Sequence, residues 1–288
     1  MNSTVQPGAL PSSSGASRLV SGYGLLQIAL RLVAYAAALF VILGPLTSLL
    51  LWSLAEKWFW PHPLPNQWGL LYWRKVFEGK MLQSLILSFE TALLVTLLCL
   101  LVSVPLSYII ARCRIPGRTL LLLLFLLPQA FPQLPVFTNT MVLMYKWDLV
   151  GTLTGVILIH LVGAVVFSVW TMVSVFQSIS PALEEASIML GASRLYTFFH
   201  IALPLSLPGM IASSLLVFLY SLDEFTGSLL IGAPFMVTMP IFMYNAANGY
   251  EMQVASVTAI LLMLPGIVLL LLLQRFMKSE YLSAFGRV

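Results

Sequence analysis

The chain has 288 residues, 60% of them hydrophobic and 8% charged, with a formal net charge of +4. Together with a mean hydropathy of +0.98, this composition excludes a soluble globular domain and leaves an integral membrane protein, built as one helical unit with short loops. The lipid bilayer is therefore the first partner, and no nucleic-acid partner is expected.

Residues 1–24 are rich in Ser and Gly, carry Arg18 as their one charge, and read as a disordered tail. The apolar run from Leu32 to Leu54 is too long for the core of a cleavable signal peptide and reads as an uncleaved first span. From Glu56 to Met81 the loop combines Lys57, Arg74, Lys75 and Lys80 with Trp58, Phe59, Trp60, Trp68, Tyr72 and Trp73, a composition suited to the headgroup layer. The second span runs from Leu82 to Ala111 and contains Glu90 nearer its outer end. Cys99 and Cys113 fall inside and just beyond this span, which argues against a disulfide framework and against a metal site, and both read as small apolar side chains. A third span, Leu120 to Tyr145, carries Pro128, Pro132 and Pro135, so it is expected to bend or break and to expose backbone polar groups to a cavity.

The fourth span, Thr152 to Phe176, holds His160 among aliphatic neighbours, where a neutral, hydrogen-bonded imidazole is expected. The fifth runs from Pro208 to Leu230 and the sixth from Val254 to Leu273. Asp223 and Glu224 lie 15 and 16 residues beyond Pro208, about 22 to 24 Å along a helix rising about 1.5 Å per residue. That places them in the outer half of the bilayer. Six spans bring both termini to one side, and nine of the 14 basic residues, Arg112, Arg114, Arg118 and Arg194 among them, share that side. The positive-inside rule then puts both termini in the cytoplasm.

With this topology the segment from about 178 to 207, between the fourth and fifth spans, is a cytoplasmic loop. Ser180 is placed to cap a helix that begins at Pro181 and has Glu184 and Glu185 in its first turns. Gly191 ends that helix, because glycine adopts the left-handed conformation that follows a helix at little cost. Ser193 is placed to cap a second short helix from Arg194 to Ile201, which Pro204 and Pro208 stop before the fifth span begins. A well-capped connection with no further role is the plain alternative.

The spacing Glu185-Ala186-Ser187, three residues, Gly191, nine residues, Ile201-x-Leu203-Pro204 resembles the cytoplasmic signature of the membrane subunits of bacterial ABC importers. Ser187 stands where a second Ala is usual. Pro105-Leu106-Ser107-Tyr108-Ile109-Ile110-Ala111-Arg112, followed by Pro116-Gly117-Arg118, and Ser221-Leu222-Asp223-Glu224-Phe225 resemble the same family, so the likeness covers roughly Gln83 to Leu273. It implies an all-α membrane protein with the type I importer permease fold: six transmembrane helices, a permease domain over 25–288, and a coupling-helix loop. It also implies a bacterial cytoplasmic membrane location, a second permease subunit with a heterodimer favoured over a homodimer, two ATP-binding cassette subunits and an extracytoplasmic solute-binding protein. The chain itself is then not an enzyme and binds no cofactor; ATP and Mg belong to the partner ATPase, in keeping with the absence of a Gly-x-x-x-x-Gly-Lys-Ser/Thr loop from the sequence.

Within the loop the resemblance implies an ATPase-coupling set of Glu184, Glu185, Ala186, Ser187, Gly191, Leu203 and Pro204, with Glu185 as a polar docking contact, Ala186 and Ser187 in close packing, and Gly191 at the turn. Ionisable residues at membrane depth are functional candidates by default, so the substrate-pathway set is Glu90, Gln133, Asn139, Asp223, Glu224, Tyr244 and Asn245. For Asp223 and Glu224 the other reading is a helix-end pair, solvated or bonded to the neighbouring permease. For Glu90 it is a hydrogen bond into the bundle.

The Ser221 to Phe225 stretch is more like polyamine-type permeases, and outer-half carboxylates suit a cation such as putrescine or spermidine. Trp147 to Thr152 and Tyr72 to Phe77 are closer to carbohydrate-type permeases, which is the alternative for cargo. A proton-coupled secondary transporter, with Glu90, Asp223 or Glu224 as relay groups, leaves the loop unexplained. An intramembrane protease using His160 lacks any Gly-x-Ser-x-Gly or His-Glu-x-x-His pattern.

Overall fold

The computed structural model describes residues 14–59 and 61–279. The chain divides into two units, residues 1–51 and 52–288. The described part of the first belongs to the helix α1, Ser14–Ser53, whose apolar part Leu30–Ser53 has a mean hydropathy of 2.1 over 24 residues. Residues 14–24, expected as part of a disordered tail, continue this helix. Once a helix is nucleated, each added residue gains a hydrogen bond at small entropic cost, so Ser and Gly positions can be carried along. The rest of that expected tail, residues 1–13, lies outside the described residues.

The second unit opens with a hairpin of β1, Ala55–Lys57, and β2, Gln67–Trp68, then a single helical turn, α2, Leu71–Lys75. The Trp52 and Trp58 rings pack tilted at 32° with centres 4.2 Å apart, and the Lys75 ammonium sits 5.0 Å from the centre of the Tyr72 ring. Tyr72 and Trp73 then pack on Val76, Met81 and Val257, which anchors the loop to the bundle.

Three helices make the centre: α3, Gly79–Arg112, α6, Leu153–Ser178, and α9, Leu203–Asp223. Lipid gives apolar helices no hydrophobic reason to associate, so close packing and interhelical hydrogen bonds must hold them. Small residues supply both. Ser168 Oγ lies 2.6 Å from Ser103 Oγ and 2.9 Å from Ser213 Oγ, joining all three helices, and Ser107 Oγ donates to the Val169 carbonyl at 3.2 Å. Beside this ladder Val95, Cys99, Ala164 and Val217 form one buried cluster, with Cys99 acting as the small apolar residue expected of it, while Cys113 is exposed.

The third span is broken. Helices α4, Arg118–Ala130, and α5, Gln133–Lys146, meet at 95°, with Pro132 at the N-cap of α5. Proline cannot extend a helix across its own position and biases the preceding residue away from helical geometry, so the expected break falls where Phe131 takes an extended backbone. Five described helices are long and apolar enough to cross a membrane, or six spans if this bent pair counts as one. The six-span, all-helical architecture expected from the sequence is thus found.

Two boundaries differ from expectation. Pro204 and Pro208 do not stop a helix: the path runs from α8, Arg194–Thr197, through a π-helical turn, Phe198–Ala202, directly into α9. Leu203 N–H bonds to the Phe198 carbonyl, five residues back. This wider turn loosens the backbone just ahead of Pro204, so its missing N–H is accommodated without a break. At its other end the fifth helix finishes at Asp223 instead of Leu230 and is followed by a second π-helical turn, Ser228–Gly232, then α10, Met239–Asn248, and α11, Met252–Ser279. Helix α10 was not foreseen. Its ten residues, with Tyr244, Asn245 and Asn248, are too few and too polar to read as a span.

Candidate functional site

The connection between α6 and α9 is built from local signals. Pro181 starts α7, Pro181–Met189, at a position where no N–H is needed, and Ser180 holds the N-cap place without a side-chain capping bond. The helix ends in a Schellman turn: Gly191 at φ +91°, Gly191 N–H to Ile188 O at 2.9 Å, and Ala192 N–H to Ser187 O at 3.1 Å. Ser193 caps α8, its Oγ accepting from Tyr196 N–H at 3.2 Å. Two short helices about Gly191 are therefore present as expected.

Adjacent residues on a helix point about 100° apart, and α7 uses this to divide its side chains. Glu184 is buried and turned into the bundle. Its Oε1 lies 2.8 Å from Arg112 Nε and 2.7 Å from Arg112 Nη2, and its Oε2 accepts from the Tyr108 hydroxyl at 2.8 Å. Ser187 is also buried, 3.0 Å from Thr197 Oγ1, tying α7 to α8. The partners of Glu184 and Ser187 thus belong to this chain, and both side chains are turned away from the loop's outward side. Leu203 likewise packs inward against the buried cluster of Val104, Met172, Phe176 and Ala202, and Pro204 is exposed in the first turn of α9.

The outward side carries Glu185 and Ala186, with Met189 88%, Leu190 90% and Leu195 72% exposed. A loop that leaves large apolar side chains this bare beside a free carboxylate has the chemistry of an interface.

The polar residues at membrane depth do not gather in one cavity. Glu224, expected to face a pathway, is only 6% exposed. Its Oε1 accepts from Gly227 N–H at 2.8 Å and its Oε2 from Ser228 N–H at 2.9 Å, so it caps the turn that follows the end of α9. Backbone N–H groups freed by a chain break inside a membrane need an acceptor, and this carboxylate is that acceptor. His160 completes the cluster, with Nδ1 2.8 Å from Ser221 Oγ, Nε2 2.7 Å from Ser228 Oγ, and Nε2 3.3 Å from Glu224 Oε2. The imidazole is satisfied by its neighbours, as expected. Gly227 is required here because a Cβ would come within 2.9 Å of the Ile159 side chain.

Asp223, one residue away, is exposed. Asp223→Asn is accordingly expected to change cargo uptake by the assembled complex while leaving its yield unaltered, and a loss of yield equal to the loss of uptake would refute a pathway role. Glu90 is exposed among Ile86, Phe89 and Leu93, with Phe218 of α9 beside it, and makes no hydrogen bond or ion pair among the described residues. The reading of Glu90 as bonded into the bundle is therefore corrected: α3 leaves this residue exposed among apolar side chains.

Gln133 is exposed at the start of α5, and Asn139, also exposed, donates its side-chain amide to Pro135 O at 2.8 Å. Tyr244 packs on Phe225 with ring centres 5.1 Å apart. Asn245 lines a separate cleft of about 500 Å³ with Lys80, Gln83, Ser84 and Glu251. In the sequence Lys80 reads only as a headgroup-layer residue, and Gln83 and Glu251 do not read as site residues, because all three sit near helix starts, where polar residues are ordinary. Arg112 stands out there for its side of the membrane and as part of a motif, and not as a partner of Glu184, which lies 72 positions away.

The architecture has solved counterparts. The structure of a bacterial ABC transporter involved in the import of the acidic polysaccharide alginate matches with a TM-score of 0.64 at 18% identity, covering 93% of this chain and 99% of that one. The fold, with its capped loop, is that of a type I ABC importer permease. The sequence profile of binding-protein-dependent transport system inner membrane components matches residues 103–281, and the chain belongs to this family. Relatives include the trehalose/maltose transport system permease protein MalG of Thermococcus litoralis, 30% identical over 193 residues, covering 65% of this chain and 69% of the relative. Another is the putative 2-aminoethylphosphonate transport system permease protein PhnV of Salmonella typhi, 25% identical over 247 residues, covering 84% and 93%. The chain is thus a multi-pass membrane transport subunit and not an enzyme, ATP hydrolysis being the task of a separate subunit.

Proposed function

We propose that this chain forms half of a solute translocation pathway and that the loop from Pro181 to Ala202 docks a cytoplasmic ATPase, with both termini on the same side. The observation that carries this reading is the division of α7: Glu184 holds the helix to α3 and Ser187 ties it to α8, while Glu185, Ala186, Met189 and Leu190 face outward. A second permease subunit, different in sequence, would complete the pathway, and a solute-binding protein would deliver cargo. Closure of the ATPase pair draws the two loops together and rocks the bundles; hydrolysis resets them.

Gly191 tests the docking surface with little disturbance of the fold. A Cβ there meets nothing within 4 Å, so Gly191→Ala costs only the left-handed backbone penalty, about 1–2 kcal/mol. Gly191→Asp adds a charge to the same open space. The alanine variant is expected to insert and retain partial coupling, and the aspartate variant to insert but lose ATPase binding. Equal ATPase binding by both in a pull-down would rule out docking at this turn.

For cargo we propose a small polyhydroxylated solute of the disaccharide kind, supported by the sugar-transport relative at 30% identity and by the amide and charged side chains of Gln83, Asn245, Lys80 and Glu251 in one cleft. A polyamine is the second reading, favoured by the exposed carboxylate of Asp223. A binding screen on the cognate solute-binding protein with sugars, polyamines and phosphonates decides between them, and a polyamine-only or phosphonate-only profile rejects the sugar.

A further inference from the structure

The Schellman turn gives α7 a stiff end, yet the covalent chain joins α7 only to α6, through Ile179 and Ser180, and to α8, through Leu190 to Ser193. Neither connection reaches α3, the long helix that packs along both α6 and α9. The contact that does so is at Glu184, where Arg112 Nε donates to Oε1 at 2.8 Å and the Tyr108 hydroxyl to Oε2 at 2.8 Å, with Arg112 Nη2 in ion-pair contact with Oε1 at 2.7 Å. Tyr108 and Arg112 are four residues apart on α3 and share its face. Arg112 Nη2 also donates to the Ile179 carbonyl at 2.9 Å, so one guanidinium ties together the ends of α3 and α6 and the body of α7.

The pair is well shielded, with 15% of the Arg112 side chain and 9% of the Glu184 side chain exposed. Desolvating two charges offsets most of their attraction, so a buried ion pair is a poor source of net stability but a strong constraint on geometry. Burial alone did not call for it: the adjoining cluster of Val104, Met172, Phe176, Phe198 and Ala202 is apolar, and Tyr108 already packs its ring on Phe176 and Phe198 with centres 5.4 and 4.7 Å away. What the charges add is direction, because a carboxylate held by Arg112 on one oxygen and by the Tyr108 hydroxyl on the other resists sliding where packed methyl groups do not.

We propose that Arg112 and Tyr108 are positioning residues that carry displacement of α7 into the membrane bundle through α3, the Arg112–Glu184 pair serving as the rigid link. This rests on the reading of the loop as the ATPase-docking element. Movement imposed on the outward side at Glu185 and Met189 would leave α7 through Glu184 and arrive at Arg112, bypassing the turn at Gly191.

The test uses the assembled complex in nanodiscs, with Cys99 replaced by alanine and nitroxide labels on the exposed Cys113 at the C-cap of α3 and on Ala182→Cys in α7. Distances between the labels are measured by pulsed electron resonance with and without MgATP and vanadate. In the otherwise unaltered chain a single narrow distance is expected that nucleotide does not change. Arg112→Gln is expected to retain the ATPase but to broaden that distance and make it nucleotide-dependent. Arg112→Glu combined with Glu184→Arg is expected to narrow it again.

A narrow distance in Arg112→Gln overturns the link, and so does an Arg112→Gln complex that loses its ATPase without recovery in the charge swap, which would mark a purely structural pair. Glu185→Lys serves as the control for the loop itself. If it releases the ATPase while Arg112→Gln stays narrow, the link alone is wrong; if it retains the ATPase, the docking reading falls and the link with it.

Discussion

Glu185→Lys is expected to abolish ATP-driven uptake while leaving the protein inserted at its normal level. Glu185 is exposed and makes no hydrogen bond or ion pair among the described residues, so its replacement removes nothing that holds the fold. Surface changes of that kind move stability by about 0.5 kcal/mol or less. Reversing a charge at a docked interface is another matter: like-charge juxtaposition costs several kcal/mol, and a loss of about 3 kcal/mol weakens binding by more than ~100-fold. The measurement is retention of the ATPase subunit on the purified permease, followed by ATP hydrolysis stimulated by the solute-binding protein. Normal stimulation in the lysine variant would mean that the outward face of α7 is not where the ATPase sits.

The second large effect is at Glu224, and it is a loss of stability. Glu224→Ala leaves the N–H groups of Gly227 and Ser228 without their acceptor and deprives His160 of a neighbour inside the membrane. Each buried polar group left unsatisfied costs about 1–3 kcal/mol, so the two orphaned N–H groups together cost roughly 2–6 kcal/mol. Glu224→Gln keeps one carbonyl oxygen and should fall about midway. Thermal unfolding of the detergent-solubilised complex reads this directly. Wild-type melting combined with lost uptake in Glu224→Ala would return this residue to the pathway. That outcome would also make Glu224 and Asp223 equivalent, which their burial says they are not.

The two sites differ in how much of them the sequence reveals, and the reason is range. Gly191, Pro181 and Ser193 act on neighbours within four residues, so their signals stand side by side in the chain and the two short helices could be foreseen. The same is true of Pro132, whose break in the third span follows from its own ring. The cluster around Glu224 depends on His160 arriving from α6, and the Glu184 clamp depends on a residue 72 positions earlier. No local pattern records such meetings. Pro204 misled for a related reason: a proline predicts a helix end only if the backbone ahead of it stays regular, and here a five-residue π-helical turn absorbs it.

That turn also fixes an angular relationship. Each residue of an α-helix advances the direction of its side chain by about 100°, so a turn one residue wider than normal offsets the phase of everything before it against everything after it. Deleting any one residue from Phe198 to Ala202 would remove the wide turn and leave every side chain of α7 chemically unchanged. It would also swing α8 by about a quarter of a revolution about the axis of α9. The loop would keep its letters and lose its aim.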